Sequence, residues 1–116
     1  MPQQPTPPEM PEEVMTIIDA IGNRVRTEVL RLLAHEAQTA AQLAEATNTD
    51  HRQMRRHLAV LEGLGLVIAD TLPGERGPGR GRFVLWKTDR QRAEEVGRIW
   101  INYVTGRHSP DSVQDQ

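Results

Sequence analysis

At 116 residues with 37% hydrophobic side chains, the chain has the length of one domain and enough apolar residues for one modest core. It contains no cysteine, which excludes disulfides and thiolate-bound metal. A formal net charge of −2 argues against a polyanion binder that works by bulk charge alone.

The distribution of charge says more than the sum. Residues 1–21 carry four acids and no Lys or Arg, residues 22–87 carry ten basic against seven acidic side chains, and residues 88–116 carry four against five. The positive excess therefore sits in the middle of the chain, as expected if only that part faces phosphate. No apolar run approaches the ~20 residues of a membrane span. The N-terminus MPQQPTPPEMPEE has neither the basic nor the apolar block of a signal peptide, so a cytoplasmic location is expected.

In chain order, residues 1–11 hold five of the eight prolines and no apolar periodicity, which predicts a disordered lead-in. From Glu12 to Ile21, the residues Val14, Met15, Ile17, Ile18 and Ile21 recur at helical spacing, with two glutamates in the first turn. Gly22 ends that helix, and Asn23 caps a second that runs to about His35. Thr39 and Gln42 have the spacing of a capping box and open a third helix, with Ala40, Leu43 and Ala44 inward. Asn48 suits a left-handed turn, and Asp50 caps a fourth helix whose Met54, Leu58, Leu61 and Leu64 form a stripe. Gly65 closes it.

Leu66–Leu72 and Arg82–Lys87 read as two short strands around a Gly- and Pro-rich loop, expected to be a mobile wing carrying arginine. Thr88 or Asp89 caps a last helix that runs to about Val104 with Ala93, Val96, Ile99, Trp100 and Tyr103 on one side, and residues 105–116 are expected to fray. The layout predicts a mainly α winged helix-turn-helix of about five helices and a two-stranded β wing, spanning residues 12–104.

The fourth helix has the chemistry of a groove reader. His51, Arg52, Gln53, Arg55 and Arg56 crowd its N-terminal half, opposite the apolar stripe, and Arg52 and Arg56 share a face at a spacing of four. Arginine in this position can bond bidentately to guanine in the major groove. A solvated basic face is the plain alternative for such a cluster; the helix-turn-helix context favours DNA. Arg76, Arg80 and Arg82 are wing candidates for the minor groove or flanking phosphates. Thr39 and Gln42, at a helix N-terminus, are candidates for phosphate contact. Arg24 and Arg26 are assigned to support of the fold, and His57 to a structural or phosphate contact.

The residues resemble the ArsR-like family of bacterial repressors. The family's second helix opens with a pattern like L-G-D-P-T-R-L-x-I-L-x-L-L, which Ile21-Gly22-Asn23-Arg24-Val25-Arg26-Thr27-Glu28-Val29-Leu30-Arg31-Leu32-Leu33 follows here. Its helix-turn-helix begins like Leu43-Ala44 and ends like Arg55-Arg56-His57-Leu58-Ala59-Val60-Leu61-Glu62-Gly63-Leu64-Gly65-Leu66-Val67. Thr49 departs from the pattern where an apolar residue is usual, Arg55 replaces a usual serine, and the wing is longer and richer in Gly and Arg.

The resemblance implies a dimeric repressor whose first and last helices form the two-fold interface. The surplus of apolar residues on those helices points the same way, with Ile17, Ile18, Val96, Ile99, Trp100 and Tyr103 as candidates. A dimer presents two recognition helices to a near-palindrome in double-stranded DNA.

No metal or other cofactor is expected. The family's metal sensors use either a cysteine motif or an Asp-x-His, ten residues, His-x-x-Glu set on the last helix. Counting from Asp89 gives Gln91, Asn102 and Thr105 at the other three positions. A small-molecule effector would act by changing the angle between the two halves of a dimer. Trp100 and Tyr103 are assigned to core or interface before any effector pocket. No nucleophile–base set or phosphate-loop motif supports an enzyme. The rival reading is a winged helix used as a protein-interaction module, its arginines meeting an acidic partner.

Overall fold

Residues 9–76 and 83–107 are described by a computed structural model. The first eight residues of the expected lead-in, Arg80 and Arg82 of the expected wing, and the last nine residues of the expected tail lie outside the described residues. The helices are α1 (Glu12–Ile21), α2 (Arg24–His35), α3 (Ala40–Thr47), α4 (His51–Gly63) and α5 (Arg90–Val104). Two antiparallel strands, β1 (Val67–Ala69) and β2 (Trp86–Thr88), stand between α4 and α5. This is the five-helix, two-strand arrangement expected from the sequence.

Local chemistry sets most boundaries. Asn23 accepts from the Arg26 N–H at 3.0 Å, Asp50 from Gln53 at 2.8 Å and Asp89 from Arg92 at 3.1 Å, each satisfying an otherwise unpaired donor of the first turn. At α3 the capping box is complete: Thr39 Oγ1 accepts from Gln42 N–H at 3.1 Å, and Gln42 Oε1 accepts from Thr39 N–H at 2.8 Å.

Helices α3 and α4 end in the same way. Asn48 takes a left-handed φ of 55°, and the Thr49 N–H reaches back to Ala44 O at 2.9 Å. Gly65 takes φ 77°, and the Leu66 N–H reaches Leu61 O at 2.9 Å. Glycine suits position 65 because L side chains rarely adopt this positive φ.

The core lies where α2, α3 and α4 meet. Val29 and Leu33 of α2, Leu43 of α3, and Met54, Leu58 and Leu61 of α4 are each 0–1% exposed. Ile17 from α1 and Val96 from α5 join them at 1% exposure. The sequence pattern places both residues at a dimer interface, and the structure corrects that. Facing inward, they close the outer pair of helices over the core, so neither is open to a partner.

The strands are shorter than the sequence suggests. Val67 pairs with Thr88, Ile68 with Lys87 and Ala69 with Trp86. Beyond this ladder Asp70 N–H donates to Leu85 O, but the Leu85 N–H turns to the Asp70 carboxylate at 3.1 Å, which ends regular pairing. On its other edge Trp86 exchanges two backbone bonds with Gln38, at 3.1 and 2.8 Å, tying β2 to the segment before α3. No local sequence pattern announces this bridge.

Arginines then close the helix ends. Arg90 Nη2 donates to Ala34 O at 2.6 Å at the end of α2, and Arg92 Nε donates to Leu64 O at 2.8 Å at the end of α4. Arg26 Nη1 donates to Asp19 O at 2.6 Å, and its Nε donates to His57 Nδ1 at 3.1 Å. Arg26 therefore has the supporting role expected of it, joining α1, α2 and α4.

This bonding has measurable consequences for stability. Removing the α3 cap by Thr39→Ala is expected to cost about 1 kcal/mol, measured by urea denaturation. His57 must be neutral at Nδ1 to accept from Arg26, and burial, with the charges of Arg26 and Arg56, holds its pKa below the ordinary 6.5. The unfolded chain then binds the proton more readily than the folded one. Stability is full above pH 6.5 and is lost as pH falls through that value toward the lower folded pKa. His57→Gln, which can still accept but does not titrate, removes that part of the pH slope in denaturation curves collected from about pH 7.5 to about pH 5.

Candidate nucleic-acid interface

The helix-turn-helix is α3, the turn Asn48–Asp50, and α4. The turn is held without the apolar plug that the resembled pattern uses: Thr47 Oγ1 donates to Leu43 O at 2.8 Å, and the Thr49 hydroxyl, 2.9 Å from Thr47 Oγ1 and 3.3 Å from Thr47 O, donates back to Thr47. Two half-buried hydroxyls are thus satisfied where a hydrophobic side chain would have been covered. The departure at Thr49 changes the chemistry of a turn whose Asn48 takes the left-handed conformation expected of it.

From this turn α4 leaves with its polarity sorted. Met54, Leu58 and Leu61 face the core, while His51, Arg52, Gln53, Arg55 and Arg56 are all exposed. The apolar positions recur at helical spacing, so burying them forces the intervening basic residues to the opposite side. Arg52, Gln53, Arg55 and Arg56 therefore stand away from the buried stripe, while His51 is exposed as the first residue of the helix. The three ion pairs among the described residues join Arg31 to Glu28, Arg76 to Glu62 and Arg92 to Glu95. Arg52, Arg55 and Arg56 take part in none of them, so three guanidinium groups remain open to an anionic ligand.

Between α3 and the start of α4 is an open depression lined by Ala41, Gln42, Glu45, Asn48, Asp50 and His51, among others. Thr39 and Gln42 stand at the N-terminus of α3. Their oxygens are committed to the capping box, which leaves the Thr39 hydroxyl proton and the Gln42 amide protons to donate outward. His57 sits one turn beyond this face, partly buried, with Nδ1 committed to Arg26.

Arg76 stands elsewhere than expected. The sequence pattern assigns it to the wing, facing DNA. Instead its guanidinium bonds to both Glu62 oxygens, at 3.2 and 2.8 Å, and lies 4.9 Å from the centroid of the Trp86 ring. The Glu62 carboxylate holds its pKa above the already high arginine value. Arg76 is thus engaged within the domain, and the start of the expected wing loop forms one 3-10 turn at Pro73–Glu75. Glu62 and Trp86, which fix Arg76, carry no local sequence signal for that role.

On the far side, α1 packs on α5. Of the residues assigned to an interface from the sequence, Ile18 and Trp100 are exposed, at 37% and 40%, while Ile99 and Tyr103 are half-buried. Ile101 and Val104, absent from the interface that the sequence predicts, are more exposed, at 48% and 53%. They extend the patch along α5 from Trp100. The spacing of four between Trp100 and Val104, and of three between Ile101 and Val104, is the signal that could have found them.

Among the described residues no group of three or more His, Asp or Glu is placed to hold a metal ion, and no helix is long and apolar enough to cross a membrane.

Comparison with known proteins agrees with this geometry. A family model described as "Helix-turn-helix domain" matches residues 21–68, the span from the end of α1 to β1. No curated protein matches the chain by sequence. Among solved structures, the chain is similar to an ArsR-like transcriptional regulator from Rhodococcus sp. RHA1, at a TM-score of 0.59 and 20% identity, covering 81% of this chain and 79% of that one. It is also similar to a homodimeric winged helix-turn-helix DNA-binding domain from Mycobacterium bovis, a possible ArsR-family transcriptional regulator, at a TM-score of 0.57 and 20% identity, covering 84% and 87%. Residues 21–68 match the helix-turn-helix domain model, and the chain as a whole has a winged helix-turn-helix fold similar to that of both solved structures.

Proposed function

We propose that this protein is a sequence-specific DNA-binding transcriptional regulator that works as a homodimeric repressor on a near-palindromic operator. The observation that carries the reading is the exposed face of α4, where Arg52, Arg55 and Arg56 stand without carboxylate partners among the described residues, directly after a helix-turn-helix turn. In that reading α4 lies in the major groove, and Arg52, Arg55 and Arg56, with His51 and Gln53, face base edges and the adjoining phosphates. Thr39 and Gln42 donate to a phosphate from the N-terminus of α3, and Arg80 and Arg82 of the wing reach flanking backbone.

The dimer rests on a separate observation. Helix α1 exposes Ile18 and helix α5, packed on it, exposes Trp100, Ile101 and Val104, and the similar domain from Mycobacterium bovis is homodimeric. In this reading a second copy covers those side chains, and the two α4 helices of the dimer meet successive major grooves. Repression follows if the operator overlaps a promoter, because the bound dimer then excludes polymerase.

Two measurements check this reading. Selection from random duplex DNA is expected to return an enriched, two-fold-related sequence. Arg52→Ala and Arg56→Ala are each expected to weaken binding to it by about 1–3 kcal/mol in gel shifts. Wild type and an Arg52→Ala/Arg56→Ala double variant binding every duplex alike, and equally weakly, would sink the proposal. For the dimer, Trp100→Ala/Ile101→Glu is expected to sediment as a species of half the wild-type mass, whereas two monomers of equal sedimentation would remove the two-fold arrangement.

A further inference from the structure

Arg76 is held by three parts of the molecule at once. Nη1 and Nη2 donate to the two Glu62 oxygens, Nε and Nη2 donate to Thr71 O at 2.9 and 2.7 Å, and the guanidinium stacks over Trp86. Its side chain is only 16% exposed. Glu62 belongs to the last turn of α4, Thr71 to the exit from β1, and Trp86 opens β2. Trp86 is bonded through its backbone to Gln38, which directly precedes the Thr39 cap of α3. One guanidinium therefore links the recognition helix, both strands of the wing and, through Trp86, the start of α3.

The wing needs such a link. Its ladder is three residues per strand, and an isolated two-stranded hairpin is marginal at best in water. A two-point arginine–carboxylate pair fixes direction as well as distance, which a lysine ammonium does not. Arg76 is also the residue from which the chain continues toward Arg80 and Arg82.

We propose that Arg76 is a positioning residue for DNA binding: through Glu62 and Trp86 it sets the wing at a fixed angle to α4, so that flanking and groove contacts are made together. The proposal rests on reading the chain as a DNA-binding regulator. A wing without this anchor would have to be ordered on DNA, at a cost in conformational entropy that lowers affinity for the flanks.

The test uses the full chain, its selected operator, and the same operator trimmed of the base pairs outside the two recognition-helix sites. Arg76→Lys and Glu62→Gln are mild changes that retain size and most of the packing. Arg76→Ala is the stronger variant, and thermal unfolding is followed in parallel. For wild type, log affinity is expected to fall more steeply with log salt on the long duplex than on the trimmed one. In Arg76→Lys and Glu62→Gln that difference is expected to shrink by about 0.9 for each flanking phosphate no longer neutralised, with affinity for the long duplex down about tenfold. Affinity for the trimmed duplex, and its discrimination against scrambled sequence, are expected to stay as in wild type.

A purely destabilising change lowers the active fraction on both duplexes alike and moves neither slope. Variants that keep the wild-type difference between duplexes, whatever their melting temperature, overturn the proposal. So does a wild type that prefers its selected sequence yet treats long and trimmed duplexes the same, and in that case the regulator reading stands. A wild type without sequence preference on any duplex overturns both.

Discussion

The apolar stripe of α4 is the constraint on which the rest of the structure depends. Met54, Leu58 and Leu61 are 0–1% exposed in the core shared with α2 and α3, and each such burial is worth about 1.5–3 kcal/mol relative to leaving the side chain in water. Burying this stripe fixes the rotation of the helix about its own axis. Arg52, Arg55 and Arg56 then point outward, because no other rotation keeps three large apolar groups dry. Core and candidate reading surface are two sides of one helix, and the packing side decides where the charge goes.

The arginines divide into two groups that composition does not separate. Arg26, Arg76, Arg90 and Arg92 are turned onto backbone carbonyls or side chains of neighbouring elements. Three of these bonds satisfy carbonyl oxygens at the ends of helices, at Asp19, Ala34 and Leu64, where intrahelical partners run out. The α4 arginines at 52, 55 and 56 have no carboxylate partner among the described residues. Long aliphatic stems let arginine serve either purpose, and what chooses between them is whether an acceptor lies within reach in the folded chain.

That division also marks how far the sequence is legible. Helix starts can be read at Asn23, Thr39, Asp50 and Asp89 because a cap is a bond between residues three apart. The turn at Asn48 and the stop at Gly65 can be read because both need a left-handed backbone. The outward face of α4 follows from periodicity alone. By contrast, the Arg76–Glu62 pair spans 14 residues, and the Gln38–Trp86 bridge spans more than three times that, so neither leaves a local pattern. Ile17 and Val96 are misplaced by periodicity for a related reason. Helical spacing identifies an apolar side, but which of its residues meet the core and which meet a partner depends on how α1 and α5 cross.

The long-range bonds that leave no pattern bear on the wing. Residues 67–69 and 86–88 form a ladder too short to hold its own orientation, and its inner face is shared with the domain through Val67, Trp86 and Thr88. Thr88 Oγ1 donates to Leu30 O of α2 at 2.8 Å, Trp86 bonds to Gln38, and Arg76 reaches Glu62 of α4. The strands are thus held at three points by α2, by the approach to α3 and by α4, the elements that also fix the candidate reading helix. Any strain that shifts α4 against α2 is felt by the wing through those same bonds. Helix and wing share their anchorage, so their relative position is a property of the core and not of the hairpin.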